Sequence, residues 1–297
     1  GTAEAPAATS GCRLGPRSGN WFSSMAEARQ QDRNDKPPLW KWARGRRWGA
    51  AGLSSLGLLL SLAAAPVVRG AGAPPSSSVR PAQAPALIPL ASAAGQALLT
   101  RPGTLRADEP SLAQWFETQA NLAFCGAASA VMVLNSLGQP APQAAGYGNY
   151  RFWTQTNLFE APASQRFVNA AVVAREGMTL EQLDGLLASQ GLRVNRYHGD
   201  RLTLPQLRLL LRLNLADPGD RLLANYDRSA LGQKGGGHIS PLAAYDPRQD
   251  RVLILDVARY RYPAVWVSTE ALWAALRTLD RSSGLSRGLV SAARSAP

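Results

Sequence analysis

The chain has 297 residues, of which 45% are hydrophobic, and its formal net charge is +12. Residues 81–297 hold 21 Lys/Arg against 16 Asp/Glu, and Lys234 is the one lysine among them. Scattered arginines without a Lys/Arg stripe argue against a nucleic-acid partner. They suit a small anionic substrate better, because guanidinium pairs with carboxylate in bidentate fashion.

The first part of the chain has the pattern of an export signal. A basic stretch, Lys41–Arg47, precedes an apolar run, Trp48–Val68, and small residues follow that run. We expect translation to start at Met25 and residues 1–73 to be a leader that exports the protein to the periplasm or another extracytoplasmic compartment. The alternative is an uncleaved anchor, because the apolar run approaches membrane-spanning length. In either case we expect membrane contact through this leader alone.

A linker is predicted after the leader. Residues 74–94 are rich in Pro, Ala and Ser, and such a segment has too little apolar bulk to offset the entropy of ordering. The remaining residues, 95–297, are numerous enough for one sizeable core. We therefore expect them to form a single domain.

Helix signals dominate the first half of this domain. The apolar residues of Gly126–Leu137 nearly encircle the helix axis, which predicts a buried helix that stops at Gly138. Thr179 and Gln182 have the spacing of a capping box, which predicts the start of a second helix. Thr203, followed by Leu-Pro, predicts the start of a third.

The second half of the domain reads as a sheet. Its short β-prone runs are 222–226, 239–245, 251–257, 264–267 and 288–292. The turn-forming residues 246–250 join two of them, which predicts a hairpin. Helices followed by hairpin-connected strands indicate an α+β fold, with a helical layer packed on an antiparallel sheet.

Cys125 is the candidate nucleophile. With Cys12 as the one other cysteine in the chain, it cannot form a thiolate zinc cluster, and we expect no protein metal site. It opens the first predicted helix, where free backbone N–H groups favour a thiolate. Gly126 is expected to leave room for a substrate. Taken alone, the pattern also fits a small buried residue.

His238 and Asp256 are the candidate partners of Cys125. His238 follows three glycines and opens an apolar run, whereas His198 has a polar turn context and is expected at the surface. Asp256 ends a run of buried type, and across the predicted hairpin it falls near His238. The alternative for His238 is a glycine-rich turn, and for Asp256 a structural carboxylate paired with a nearby arginine.

A Cys–His–Asp set in this order is the arrangement of a papain-like thiol acyltransferase or hydrolase. Gln119 precedes Cys125 by six residues. A side-chain amide there could join the backbone N–H of Cys125 in stabilising an oxyanion. Its alternative is an ordinary surface glutamine.

Two long segments resemble phytochelatin synthases. The first is Thr118-Gln-Ala-Asn-Leu-Ala-Phe-Cys125-Gly-Ala-Ala-Ser-Ala-Val-Met-Val-Leu-Asn135. The second comprises Asn225-Tyr-Asp-Arg228, Gly235-Gly-Gly-His238-Ile-Ser-Pro-Leu-Ala-Ala-Tyr245 and Leu253-Ile-Leu-Asp256-Val-Ala-Arg-Tyr-Arg-Tyr-Pro263. The likeness extends over roughly residues 85–292, which is essentially the whole predicted domain.

The resemblance implies a papain-like fold in which the helical layer carries the nucleophile and the antiparallel sheet carries His238 and Asp256. It also implies Gln119 at the oxyanion hole and glutathione as the substrate. Cys125 would attack the Cys–Gly bond, release glycine and form a γ-glutamylcysteinyl thioester. A second glutathione, a phytochelatin or water would then take the acyl group.

The resemblance carries three substrate contacts with it. Arg228 matches a family arginine at the site, and Asp280 and Arg287 resemble the residues that hold the γ-glutamyl amine and carboxylate. No Cys-rich region follows the domain in this sequence, so we expect the short bacterial type, in which hydrolysis is prominent. No tightly bound cofactor is expected, and Cd or Zn would act through the metal–glutathione thiolate as substrate.

Two other functions are compatible with the sequence. One is an exported papain-like peptidase with a different substrate, and the other is a glutathione- or metal-thiolate-binding module without turnover. The sequence leaves the oligomeric state open, a homodimer included.

Overall fold

The computed structural model describes residues 87–295 of the chain. The leader and most of the linker predicted from the sequence lie outside these residues. The helices are α1 Ala93–Thr100, α2 Glu109–Gln114, α3 Cys125–Ser136, α4 Gln155–Glu160, α5 Ala170–Glu176, α6 Leu180–Ser189, α7 Leu204–Asn214 and α8 Thr269–Leu276. The strands are β1 Ile88–Pro89, β2 Leu192–His198, β3 Asp220–Asp227, β4 Gly237–Asp246, β5 Arg251–Ile254, β6 Val265–Ser268, β7 Leu279–Asp280, β8 Leu285–Ser286 and β9 Gly288–Arg294.

Seven strands form one antiparallel sheet in the order β1-β6-β5-β4-β3-β9-β2. The predicted hairpin is confirmed, since β4 and β5 pair across the turn after Asp246. β7 and β8 form a separate two-stranded ribbon directly before β9. The α+β fold expected from the sequence is therefore the observed one.

Both faces of the sheet are covered. Alternate side chains of the strands enter two hydrophobic clusters, as the period of a strand requires. On one face Leu223, Ile239 and Leu253 join a cluster that includes α3 and α6. On the other face the neighbouring strand residues pack against α7 and α8. The sequence predicted one helical layer, whereas the structure has two, one on each face of the sheet.

The nucleophile-bearing helix has the predicted position and burial. Ten consecutive residues of α3, from Cys125 to Leu134, are buried, and Gly138 beyond its end has a φ of +63°, which favours glycine. The capping boxes at Thr179 and Thr203 are both present. Each of them fixes the start of a helix, α6 and α7 respectively.

Two predictions about the edges of the domain are wrong. The ordered fold begins before residue 95, because β1 pairs with β6 through Ile88↔Trp266. His198 does not lie in a surface turn but ends the edge strand β2, with its side chain 13% exposed. The alternating polar residues of β2 concealed this strand, because one of its faces is largely solvated.

Within residues 87–295 no helix is long and apolar enough to cross a membrane.

Candidate active site

Cys125 is the first residue of α3 and is buried, with 8% of its surface exposed. Phe124 at the N-cap position provides no side-chain acceptor, so the backbone N–H groups of the first turn stay free for an anion. The hydroxyl of Ser129, one turn along the helix, donates to the Ile239 carbonyl at 3.1 Å. This bond fixes the nucleophile helix against the strand that carries His238.

Gly126 serves a different purpose from the one predicted. A Cβ at this position would lie 3.1 Å from Met178 and 3.3 Å from Ile239. The missing side chain therefore lets α3 pack closely on its neighbours and leaves no space for a substrate there.

His238 is the second residue of β4 and is buried. Its Nε2 lies 2.9 Å from Oδ1 of Asp256, and its ring packs edge-to-face against Tyr226 with centroids 5.7 Å apart. The Asp256 contact occupies Nε2, so Nδ1 remains for the hydrogen bond with the Cys125 thiol.

Asp256 follows the end of β5 and is fully buried. Besides the His238 contact, its oxygens accept two hydrogen bonds from Arg228, at 2.7 and 2.9 Å, and one from the Ala258 N–H at 2.9 Å. Burial alone would raise the pKa of this carboxyl, but the hydrogen bonds from His238 and Arg228 hold it well below its ordinary value. Asp256 is thus a carboxylate that orients the imidazole.

Cys125 and His238 each stabilise the charged form of the other. Burial raises the pKa of the Cys125 thiol, yet the charge and hydrogen bond of His238 outweigh it, and the net pKa is lowered. Burial likewise lowers the pKa of His238, while the thiolate and Asp256 raise it, and the net pKa is raised. Both shifts favour the thiolate and imidazolium form of the pair, which is the reactive form of a thiol nucleophile.

Arg228 is not placed as a substrate contact. Its guanidinium is buried behind Asp256, where it also donates to Gln233 Oε1 at 2.7 Å and stacks on the Tyr262 ring at 4.7 Å. It does not line the cleft in front of Cys125. Because the sequence shows only that Arg228 precedes His238, it could not reveal that its side chain turns to the opposite side of the triad carboxylate.

Gln119 lies on the loop that leads to Cys125 and is buried. Its backbone N–H donates to Val257 at 3.0 Å, which ties the loop to the residue after Asp256. Its side-chain Nε2 donates to the Asn121 carbonyl at 2.7 Å and to the Tyr260 hydroxyl at 3.1 Å. Both amide protons are therefore engaged, and the amide must leave Tyr260 before it can meet an oxyanion.

A cleft of about 440 Å³ opens in front of Cys125 and His238. Asp280 and Arg287, the two residues that the family resemblance implied at the substrate, both line it. The Nη1 of Arg287 lies 4.0 Å from the Asp280 carboxylate and donates to Oδ1 of Asn225 at 2.9 Å. The walls thus present a carboxylate and a guanidinium side by side.

Asn225 is a cleft residue that the sequence reading did not single out. It lies in β3 opposite Ile239 and Gly288. Its Nδ2 and the Nε of Arg287 are buried and have no hydrogen-bond partner within residues 87–295. The signal that could have identified it in the sequence is its amide, which stands in the otherwise apolar run after Arg221. Two unpaired buried donors at a cleft are the expected complement of an anionic ligand group.

Among residues 87–295 no group of three or more His, Cys, Asp or Glu side chains is placed to hold a metal ion.

The chain is similar to a set of known proteins. The family model described as Phytochelatin synthase matches residues 80–289. Glutathione gamma-glutamylcysteinyltransferase 1 of Triticum aestivum is 36% identical over 63% of this chain and 36% of its own length. Glutathione gamma-glutamylcysteinyltransferase 2 of Arabidopsis thaliana is 33% identical over 60% of this chain and 38% of its own length. Glutathione gamma-glutamylcysteinyltransferase of Schizosaccharomyces pombe is 31% identical over 61% of this chain and 42% of its own length.

The chain therefore spans well under half the length of these relatives. Among solved structures, the peptidase domain of Streptococcus ComA matches 60% of this chain and 97% of that domain at 14% identity. Its TM-score is 0.37.

Proposed function

This chain belongs to the phytochelatin synthase family, and we propose from this that it is a glutathione γ-glutamylcysteinyltransferase that also hydrolyses glutathione. The observation that carries the proposal is the position of the Cys125–His238–Asp256 set at a cleft whose walls hold Asp280, Arg287 and Asn225. The set supplies acyl-transfer chemistry, and the walls match the charged end of a γ-glutamyl group.

The proposed substrate position follows from charge. The γ-glutamyl end of glutathione carries an ammonium and a carboxylate on one carbon. Asp280 would accept from the ammonium, while Arg287 and the unpaired Nδ2 of Asn225 would donate to the carboxylate. With that end fixed, the cysteinyl carbonyl carbon would face the Cys125 sulfur.

The first step would be acylation of Cys125. The thiolate attacks the carbonyl carbon of the Cys–Gly bond, and a C–S bond forms. The imidazolium of His238 gives its proton to the glycine nitrogen, the C–N bond breaks, and free glycine leaves. Asp256 keeps the ring aligned throughout. The backbone N–H of Cys125 would hold the oxyanion, together with the Gln119 amide once it has left Tyr260.

The second step would transfer the γ-glutamylcysteinyl group from the thioester. His238, now neutral, removes a proton from water or from the amine of a second glutathione or a phytochelatin, and the thiolate is regenerated. We propose that any effect of Cd or Zn acts through the metal–glutathione thiolate as acceptor substrate.

The test is glycine release from glutathione by the purified protein. We expect release by the wild type and none by Cys125→Ala. Mass spectrometry of the products, with and without cadmium, measures hydrolysis against transfer. A protein that cleaves a peptide library and leaves glutathione intact would be a peptidase instead. One that binds glutathione without releasing glycine would be a binding module.

We also propose that residues 1–73 direct export. The sequence pattern of basic residues followed by an apolar run supports this. Cell fractionation with N-terminal sequencing of the recovered protein tests it. A full-length protein in the membrane fraction would indicate an anchor, and a full-length protein in the cytoplasm would contradict export. Light scattering of the same material reports whether the protein is a homodimer.

A further inference from the structure

Both polar atoms of the Gln155 side chain are directed at the loop that carries Gln119. The Nε2 of Gln155 donates to the Thr118 carbonyl at 3.0 Å and to Oε1 of Glu117 at 2.8 Å. Its Oε1 accepts from the backbone N–H of Ala120 at 2.9 Å. A primary amide has two N–H donors, and both are engaged here. Gln155 therefore holds the peptide groups on either side of Gln119.

The loop is also held from the side of the triad. The backbone N–H of Gln119 donates to the carbonyl of Val257, the residue directly after Asp256, at 3.0 Å. The side chain of Gln119 has a separate pair of partners, the Asn121 carbonyl and the Tyr260 hydroxyl. The backbone of Gln119 is thus a fixed pivot, and its side chain alone has to rotate to reach an oxyanion.

The helix that carries Gln155 packs against the nucleophile as well. Gln155 is the first residue of α4 and is 6% exposed, and a capping box fixes the first turn of this helix. One turn further along, the ring of Phe159 packs on that of Phe124, with centroids 4.9 Å apart. Phe124 directly precedes Cys125. Helix α4 therefore holds both ends of the segment that runs from Gln119 to Cys125.

We propose that Gln155 is a positioning residue for the oxyanion hole, because it sets where Gln119 lies relative to the backbone N–H of Cys125. The inference rests on the proposed function. Gln155 does not line the cleft in front of Cys125 but a separate cavity of about 540 Å³, so it acts through Gln119.

The proposal places the contribution of Gln155 in the transition state. An oxyanion donor stabilises the transition state only when it lies within hydrogen-bond distance of the atom on which charge develops. Without the bonds from Gln155, the Thr118 carbonyl and the Ala120 N–H lose their partner, and the loop can shift. The shift misplaces the Gln119 amide and leaves the residues that hold the γ-glutamyl group where they are. The loss therefore falls on kcat and not on KM.

The test is steady-state glycine release from glutathione by Gln155→Met, measured below the melting temperature of each variant. Methionine has a similar length and no hydrogen-bonding amide. We expect kcat to fall by about 10- to 100-fold, with KM within about twofold of the wild-type value. The matched control is Gln139→Met. Gln139 also donates from its amide to a distant backbone carbonyl, that of Gln190, outside this loop, and its loss should leave kcat unchanged.

A double-mutant cycle shows whether Gln155 acts through Gln119. Gln119→Ala alone should lower kcat by about 100-fold or more. Adding Gln155→Met to it should cost no more than about 2- to 3-fold further, because the group that Gln155 positions is already gone. Alkylation of Cys125 by iodoacetamide forms no oxyanion. Its rate, followed by peptide mass spectrometry, should therefore be the same in Gln155→Met as in the wild type.

Three results would overturn the inference while the proposed function stands: a wild-type kcat in Gln155→Met, a full multiplicative loss in the double variant, or slowed alkylation of Cys125. If Gln155→Met does not fold, Gln155→Glu takes its place throughout. Its ionised carboxylate keeps an acceptor for the Ala120 N–H and has neither donor. Absence of glycine release by the wild type would overturn the proposed function, and this inference with it.

Discussion

Replacing Arg228 by methionine removes the cation that holds the triad carboxylate. Arg228 is 4% exposed and makes both of its short bonds to Asp256 with a pair of guanidinium nitrogens. Methionine has a similar length and no donor. The Asp256 carboxylate, fully buried, would keep His238, the Ala258 N–H and the Tyr226 hydroxyl at 3.5 Å as partners and lose both bonds from Arg228.

The cost follows from the burial of this pair. Removing one partner of a buried ion pair destabilises a protein by about 3–5 kcal/mol. For a domain of this size, each kcal/mol lowers the melting temperature by about 2–4 °C, so we expect a fall of roughly 6–20 °C. Arg228→Lys keeps the charge but cannot form the two parallel bonds. Its melting temperature should lie between those of the wild type and Arg228→Met.

The activity of the same variants separates two roles for Arg228. Because its side chain does not line the cleft, the loss should appear in kcat, by about 10-fold or more, with KM for glutathione near the wild-type value. The assay is steady-state glycine release, run at least 15 °C below the melting temperature of each variant. A raised KM with an unchanged kcat would refute this account and return Arg228 to the substrate contacts that the sequence alone suggested.

Three further predictions follow from the structure. His238→Ala removes the cation beside the thiol, so the pKa of Cys125 should rise, and iodoacetamide alkylation at pH 6 should slow markedly and recover above pH 8. Gly237→Ala places a Cβ 2.1 Å from Arg287 Nη1, which should displace that flexible guanidinium and raise KM about 10-fold, while the melting temperature changes little. Arg221→Met removes a buried guanidinium that lies 3.0 Å from Asp108 and does not line the cleft. Because burial raises the pKa of the Asp108 carboxyl to about 8, this group can take up a proton, and the loss should be about 1–3 kcal/mol in urea unfolding, with KM unchanged.

Local signals in the sequence account for most of the fold. The encircling apolar residues of α3, the capping box at Thr179 and the turn at 246–250 each act within about ten residues, and all three were predicted correctly. The hairpin in turn brings His238 beside Asp256, so this pair was predictable from one local turn. The neighbours of β2 could not be predicted this way, because this strand pairs with β9, which lies far along the chain.

The residues that were misjudged share a physical reason. Arg228 and His198 have charged or titratable side chains whose partners come from other elements: Asp256 for the first, Glu181 and Ser286 for the second. The polar residues around His198 indicate an exposed segment when the sequence is read alone. Only the folded chain shows which of these side chains point inward. For Asn225 the local context was informative, since an amide in a buried strand requires a partner or a ligand.

The buried groups from Cys125 to Arg228 alternate in charge: thiolate, imidazolium, carboxylate, guanidinium. Removing Arg228 leaves this row with one uncompensated negative charge, which the protein can relieve by protonating the thiolate. If Cys125 is already alanine, His238 can take up a proton and balance Asp256 by itself. The free-energy cost of Arg228→Met should therefore be smaller in the Cys125→Ala protein than in the wild type, and a double-mutant cycle of urea unfolding measures the difference. Equal costs in both backgrounds would show that Cys125 and Arg228 are not coupled through this row of groups and would refute this account.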